Sequence, residues 1–232
     1  MSPLSYAQSL SAEDFAHNMR VVRERVADAG GDADAVTIVA VSKGQPLTSI
    51  RAALDVGQRQ FGENYADELV EKADALSSGV AGADAATVWH FQGRLQTNKI
   101  NRLKSVVSVW QTVDSVDRAA ALGKRVPGAA VLVQINSGGG DRSGALIGEV
   151  ASIVAHARDC GLAVLGLMTV APLLDGVPDK SAAQQAFRSL SRLADELSLP
   201  ERSMGMSHDL AEAVAAGATM LRVGAALFGP RS

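Results

Sequence analysis

Six lysines occur in the chain, and one of them stands where a lysine can do chemistry. Val36-Thr37-Ile38-Val39-Ala40-Val41 is a short, almost continuous apolar run that ends in Ser42-Lys43-Gly44. Such a run suits a strand buried on both faces of a parallel sheet. Lys72, Lys99, Lys104, Lys124 and Lys180 fall on helix-like stretches or in polar loops. A lysine rooted on a buried strand end is partly desolvated, which lowers its pKa and leaves the amine able to attack a carbonyl. From position alone, a snorkelling surface lysine explains Lys43 equally well.

The far end of the chain carries the second feature. Ser203-Met204-Gly205-Met206-Ser207 ends one strand-like run, and Arg222-Val223-Gly224-Ala225 ends the next. Ser207 is placed to cap a helix starting near His208, and glycines let backbone N–H groups approach an anion closely. In an α/β barrel, the loops after the seventh and eighth strands are a common phosphate site. A bare helix cap and a tight turn account for the same residues with no ligand. Taken together, an aldehyde-reactive amine on strand one and a phosphate cradle on strands seven and eight are neighbours in a closed barrel. Pyridoxal 5′-phosphate (PLP) carries both matching groups.

The elements that must position these residues alternate along the chain. Strand-like runs lie near 36–41, 59–62, 87–92, 106–112, 130–136, 163–169, 202–206 and 219–223. Helix-like stretches lie near 48–56, 65–77, 96–104, 115–124, 146–159, 181–197 and 208–216. Ahead of them, Phe15, Met19, Val22 and Val26 mark an amphipathic helix over 11–28, opened by Ser11. Unbroken β-α alternation argues for a parallel sheet, and eight units in about 200 residues favour closure. The expectation is an α/β fold, a single (β/α)8 TIM barrel over residues 1–232, with the extra N-terminal helix covering the barrel's bottom.

Bulk properties exclude several functions. The 232 residues are 47% hydrophobic and 20% charged, with a net charge of −3, so charge alone implies neither an acidic nor a basic partner. Arg20, Arg23 and Arg25 are interrupted by Glu24 and flanked by Asp14 and Asp28, a solvated helix face rather than a nucleic-acid surface. Cys160 is the only cysteine, so no internal disulfide forms. The start lacks the pattern of a signal peptide, and no segment approaches the length of a membrane span. A soluble, cytoplasmic protein with no membrane partner is expected. His17, His90, His156 and His208 are scattered without metal-ligand spacing. The run 137–144 is a glycine-rich loop that matches no nucleotide fingerprint.

Six ordered stretches resemble the YggS/PROSC-type (PLPBP) PLP-homeostasis proteins, whose barrel is like the N-terminal domain of alanine racemase (PLP fold type III). They are Val39-Ala40-Val41-Ser42-Lys43, Phe61-Gly62-Glu63-Asn64-Tyr65, Trp89-His90-Phe91-Gln92-Gly93-Arg94-Leu95-Gln96, Gly166-Leu167-Met168-Thr169, Ser203-Met204-Gly205-Met206-Ser207 and Arg222-Val223-Gly224. The resemblance runs from about residue 10 to Arg231. It implies that Lys43 forms the Schiff base, an internal aldimine. Ser207 and the backbone of Gly224 and Ala225 would hold the phosphate, and Arg222 would face the pyridine nitrogen. Asn64 and His90 would line the pocket, although for both a structural hydrogen bond at a strand end is the competing role. Two departures stand out. Gln92 and Arg94 replace residues that are often apolar and non-basic, and the loop Gly138-Gly139-Gly140-Asp141-Arg142 lacks the usual glutamate and lysine. Both are expected to affect loop contacts and partner surfaces rather than PLP.

The same resemblance bears on catalysis. An arginine at the pyridine nitrogen donates a hydrogen bond and leaves that nitrogen unprotonated, a poorer electron sink. The resembling racemases add a second base, a tyrosine supplied by another domain of the partner subunit. Here the tyrosines are Tyr6 and Tyr65, before or at the start of a helix, and neither suits that role. The expected function is binding, buffering and delivery of PLP in vitamin B6 homeostasis. The protein would act as a monomer, with PLP-dependent apoenzymes as recipients. A minimal PLP-dependent racemase or lyase, and a cofactor-free Schiff-base aldolase, are the rival readings.

Overall fold

The computed structural model describes residues 10–77, 87–138, 143–174 and 177–229. Tyr6, Arg231 and residues 139–142 of the glycine-rich run lie outside them. Eight parallel strands close into a barrel: β1 (Thr37–Val41), β2 (Gln60–Glu63), β3 (Val88–Phe91), β4 (Val107–Val113), β5 (Ala130–Ile135), β6 (Ala163–Thr169), β9 (Glu201–Ser203) and β10 (Met220–Val223). Between β6 and β9 the two-residue strands β7 (Leu173–Leu174) and β8 (Val177–Pro178) form an antiparallel hairpin. The helices are α1 (Ala12–Asp28), α2 (Leu47–Asp55), α3 (Ala66–Ser77), α4 (Ile100–Leu103), α5 (Val116–Arg125), α6 (Val150–Asp159), α7 (Lys180–Glu196), α8 (Leu210–Ala215) and α9 (Ala225–Phe228).

Strand alternation builds two cores. Ile38, Ala40, Trp110, Val131, Val133 and Ile135 point outward into the large apolar layer shared with the helices. Their sequence neighbours Val39, Val109 and Leu132 point inward, where they meet Met168 and Met220. This period of two is what a barrel strand buried on both faces requires. The inside is not wholly apolar: His90, Gln111, Ser203 and Arg222 are also buried on these strands.

All eight predicted strands are present. The predicted helix over 96–104 shrinks to α4, because Thr97 and Asn98 are poor helix formers and the chain turns through them. The predicted helix over 146–159 opens as a 3₁₀ turn at Ile147–Glu149 before α6 begins.

Helix α1 does not cover the bottom of the barrel. It packs against α2, α8 and α9, in the outer ring where an eighth crossover helix would stand. Among the described residues, the helix after β10 is the four-residue α9, against which α1 packs. A capping box fixes the start of α1: the Asp14 N–H donates to Ser11 Oγ at 3.0 Å, and the Ser11 N–H donates to Asp14 Oδ2 at 3.3 Å. Phe15, Val22 and Val26 are fully buried, with Phe15 against Phe228 at 5.3 Å between ring centroids. Two polar ties reach the C-terminal elements: Asn18 Nδ2 donates to the Leu227 carbonyl, and Arg25 donates to the Ser207 carbonyl, both at 2.8 Å. Phe15→Ala is expected to lower the free energy of unfolding by roughly 3–5 kcal/mol in urea titrations. Val21→Ala, on the exposed face of the same helix, is expected to stay within about 0.5 kcal/mol.

Candidate functional site

At the C-terminal end of the barrel lies a cavity of about 770 Å³, within the usual range for a small-molecule site. Lys43, Asn64, Ser207, Arg222, Gly224 and Ala225 all line it, together with Val41, Gln92, Met168 and His208. A second hollow of about 370 Å³ adjoins it, sharing Val170, Met206 and His208.

Lys43 leaves the end of β1 in a turn whose two neighbours are clamped from behind. Lys72, on α3, is buried and extends its ammonium to three acceptors: the Ser42 carbonyl at 2.6 Å, Glu63 Oε1 at 2.7 Å and Glu68 Oε1 at 2.6 Å. Ser42 Oγ donates to the same Glu63 oxygen at 2.7 Å, and the Gly44 N–H donates to Glu68 Oε1 at 2.6 Å. Gly44 sits at φ 69°, a left-handed conformation that an L side chain resists. Burial pushes the Glu63 carboxyl up, against the Lys72 charge, Lys72 and Ser42 hydrogen bonds that pull it down. The sequence places Lys72 on the helix-like stretch 65–77, without showing that it is buried. Its burial follows from its place on the face of α3 that also buries Leu69, Ala73 and Leu76.

The opposite wall comes from β9, β10 and the turns after them. Gly205 has φ 91°, and a Cβ there would stand 2.4 Å from the Ala213 Cβ. Only glycine lets the chain turn so tightly into Met206 and Ser207. Ser207 does not cap α8, whose N-cap is Asp209. Asp209 Oδ1 instead accepts from the Met206 N–H at 2.5 Å, and Ser207 Oγ accepts from the Ala226 N–H at 3.2 Å, in the turn that follows β10. The hydroxyl is thereby joined to Gly224 and Ala225 in one polar corner. Arg222 is 4% exposed and donates to Ser203 Oγ at 2.8 Å and to the Thr169 carbonyl at 2.7 Å. Burial draws its guanidinium down to about 10, with Asp209 opposing, so it stays a cation at neutral pH.

Asn64 and Gln92 face the cavity with unfinished chemistry. Asn64 Oδ1 and Gln92 Nε2 are both buried and without a hydrogen-bond partner. Buried amide groups are normally satisfied, so these two atoms carry an uncompensated desolvation cost where β2 and β3 end. Gly62 makes room for Gln92, since a Cβ there would meet Gln92 Nε2 at 2.5 Å. Gln92 therefore bears on the cavity itself, contrary to the expectation that this departure touches only loops. Its signal in the sequence is the adjacent Gly93, where a Cβ would collide with the Asn64 carbonyl.

His90 does not line the cavity. It is 1% exposed inside the barrel, with Nε2 at 2.7 Å from Gln60 Oε1 and Nδ1 at 2.8 Å from Gln111 Nε2. It points inward from the middle of β3, below the residues that end the strands. Of the seven expected site residues, the barrel thus gathers six and sets His90 beneath them. Among the described residues no group of His, Cys, Asp and Glu could hold a metal ion, and no helix is long and apolar enough to cross a membrane.

A strand-end lysine, a buried arginine and a serine-glycine corner meet around one cavity of a parallel barrel. Known proteins of the same kind are recognisable by sequence and by fold. The profile of the family described as "Alanine racemase, N-terminal domain" matches residues 10–232. A Deinococcus radiodurans protein named pyridoxal phosphate homeostasis protein is 41% identical over 214 residues, covering 89% of this chain and 95% of that one. The Escherichia coli K12 protein of the same name is 36% identical, covering 94% and 97%. Among solved structures, PipY of Synechococcus elongatus PCC7942 with PLP bound superposes with a TM-score of 0.76 at 30% identity, covering 90% of this chain and all of that one. Lysine decarboxylase from Selenomonas ruminantium, at 19% identity and a TM-score of 0.69, shares the fold. The chain belongs to the alanine racemase N-terminal-domain family, among the pyridoxal phosphate homeostasis proteins.

Burial lowers His90 from its ordinary 6.5 to about 4. The unfolded chain therefore takes up a proton near pH 6.5 that the folded chain refuses until about pH 4. Stability falls as pH drops through that window and levels off below it, by roughly 3 kcal/mol in all. Urea titrations at pH 7.5 and 4.5 are expected to show a smaller difference in His90→Gln than in the wild-type protein.

Proposed function

We propose that this chain binds pyridoxal 5′-phosphate in the 770 Å³ cavity and holds it through Lys43. The observation that carries the reading is the convergence of Lys43, Arg222, Ser207, Gly224 and Ala225 on that one cavity. The Lys43 amine captures the aldehyde carbon, with one water released. Ser207 and the backbone at Gly224 and Ala225 receive the phosphate, and Arg222 presents its cation to the ring nitrogen. When bound, PLP supplies an electrophilic carbon and an electron-accepting ring.

The role we assign is storage and hand-over of PLP to PLP-dependent apoenzymes, in the cytoplasm, by a monomer built as one PLP-binding barrel over residues 1–232. Two observations support a non-catalytic role. Arg222 stays charged and can only donate, which keeps the ring nitrogen unprotonated and weak as an electron sink. Tyr65 is 62% exposed and does not line the cavity, so it is not positioned as a second base.

The purified protein mixed with PLP is expected to show a visible absorbance band that Lys43→Ala abolishes. Borohydride reduction followed by peptide mapping should place the cofactor on Lys43, and attachment elsewhere or nowhere sinks the assignment. Across a panel of amino acids, turnover is expected to match free PLP. Lysine-dependent racemisation or decarboxylation above that background would make the chain an enzyme.

A further inference from the structure

Five polar side chains cross the barrel interior from the cavity wall toward the N-terminal end of β2. Arg222 donates to Ser203 Oγ at 2.8 Å, and Ser203 Oγ donates to Gln111 Oε1 at 2.8 Å. Gln111 Nε2 lies 2.8 Å from His90 Nδ1, and His90 Nε2 lies 2.7 Å from Gln60 Oε1. A barrel interior is usually filled by branched apolar residues, so a continuous polar path through it is a cost the sequence carries for some purpose.

The direction of every bond follows from the cation. A guanidinium only donates, so Ser203 Oγ accepts from it and must send its own proton onward. The atom receiving that proton must be the Gln111 oxygen, which turns the Gln111 amide nitrogen toward His90 and toward Met220 Sδ at 3.2 Å. His90 Nδ1 then accepts, and Nε2 carries the hydrogen given to Gln60. His90 is neutral in its burial, as this arrangement demands. Only this polarity also gives the Ser203 hydroxyl proton an acceptor, and adjacent bonds polarise one another in a low-dielectric interior.

We propose that Gln111 and His90 are positioning residues that fix the Arg222 guanidinium toward the ring nitrogen of PLP, through Ser203. The proposal rests on the PLP reading above. Neither residue lines the cavity, so neither touches the cofactor. Gln111→Met keeps the length of the side chain but removes the acceptor for Ser203 and the donor for His90. Borohydride should still trap PLP on Lys43 in this variant, while its absorption band shifts and its affinity for PLP falls about tenfold. His90→Gln can accept from Gln111 and donate to Gln60, and should keep affinity within about twofold of wild type.

A folded Gln111→Met protein with the wild-type band and affinity would overturn the proposal and leave PLP binding standing. No Lys43 adduct in the wild-type protein would overturn both. Should Gln111→Met not fold, ¹⁵N resonances of the histidine rings decide the matter in the wild-type chain, His90 being assigned by its loss in His90→Gln. The expected result is an Nε2–H tautomer whose resonances move on addition of PLP. A different tautomer, or resonances that PLP leaves in place, would overturn the coupling.

Discussion

Where β1 meets β10, backbone pairing sets Thr37 beside Met220, Ile38 beside Leu221, Val39 beside Arg222 and Ala40 beside Val223. This seam joins the first strand of the sheet to the last, and Lys43, Arg222, Gly224 and Ala225 take their places from it. The turn at Ser42–Gly44 leaves one side of the seam, and the turn at Gly224–Ala225 leaves the other. A Cβ on Gly224 would stand 3.2 Å from the Val41 carbonyl, so the two strand ends already touch. A shift of one residue in register would reverse the inward and outward faces of β1, sending Val39 out of the barrel and Ala40 into it.

Around the seam, charge is handled by enclosure in hydrogen bonds. Lys72, Glu63 and Glu68 form a buried cluster behind Lys43, and a buried ion pair gains little over well-packed apolar residues because of the cost of desolvation. What the cluster secures is geometry, since its bonds end on the carbonyl of Ser42 and the N–H of Gly44. Arg222 is treated in the same manner, its guanidinium fixed by Ser203 and Thr169. Both cations are locked by partners on neighbouring elements, so each side of the cavity is preorganised.

Much of this was legible in the residues alone, for identifiable reasons. Short apolar runs such as Thr37–Val41 and Ala130–Ile135 have no competing helical period, and all eight strands fall where such runs lie. Lys43 and the Ser207 and Gly224 turns were legible because barrel sites form at strand ends. Less was legible wherever the fact depends on neighbours far apart in sequence. Lys72 looks like a helix-surface residue until α3 is laid against β2, and Ser207 looks like a cap for α8 until α9 offers it the N–H of Ala226. His90 lies one strand residue too deep to reach the cavity, a distinction of a few ångströms that motif position does not carry. Helix α1 was readable as a helix by its period, but its seat in the outer wall depends on contacts with α8 and α9, far along the chain.

That seat has a consequence for how the chain matures. Helix α1, from the early part of the chain, leans on α9, from the late part, through Phe15 and Phe228 and the Asn18 bond to Leu227. Until β10 and α9 have left the ribosome, β1 has no partner on one edge and α1 lacks its contacts with Leu227 and Phe228. Contacts between chain ends are slow to form because loop closure must precede them. A nascent polypeptide therefore has Lys43 early and lacks Arg222, Gly224 and Ala225 opposite it until β10 and α9 have been made.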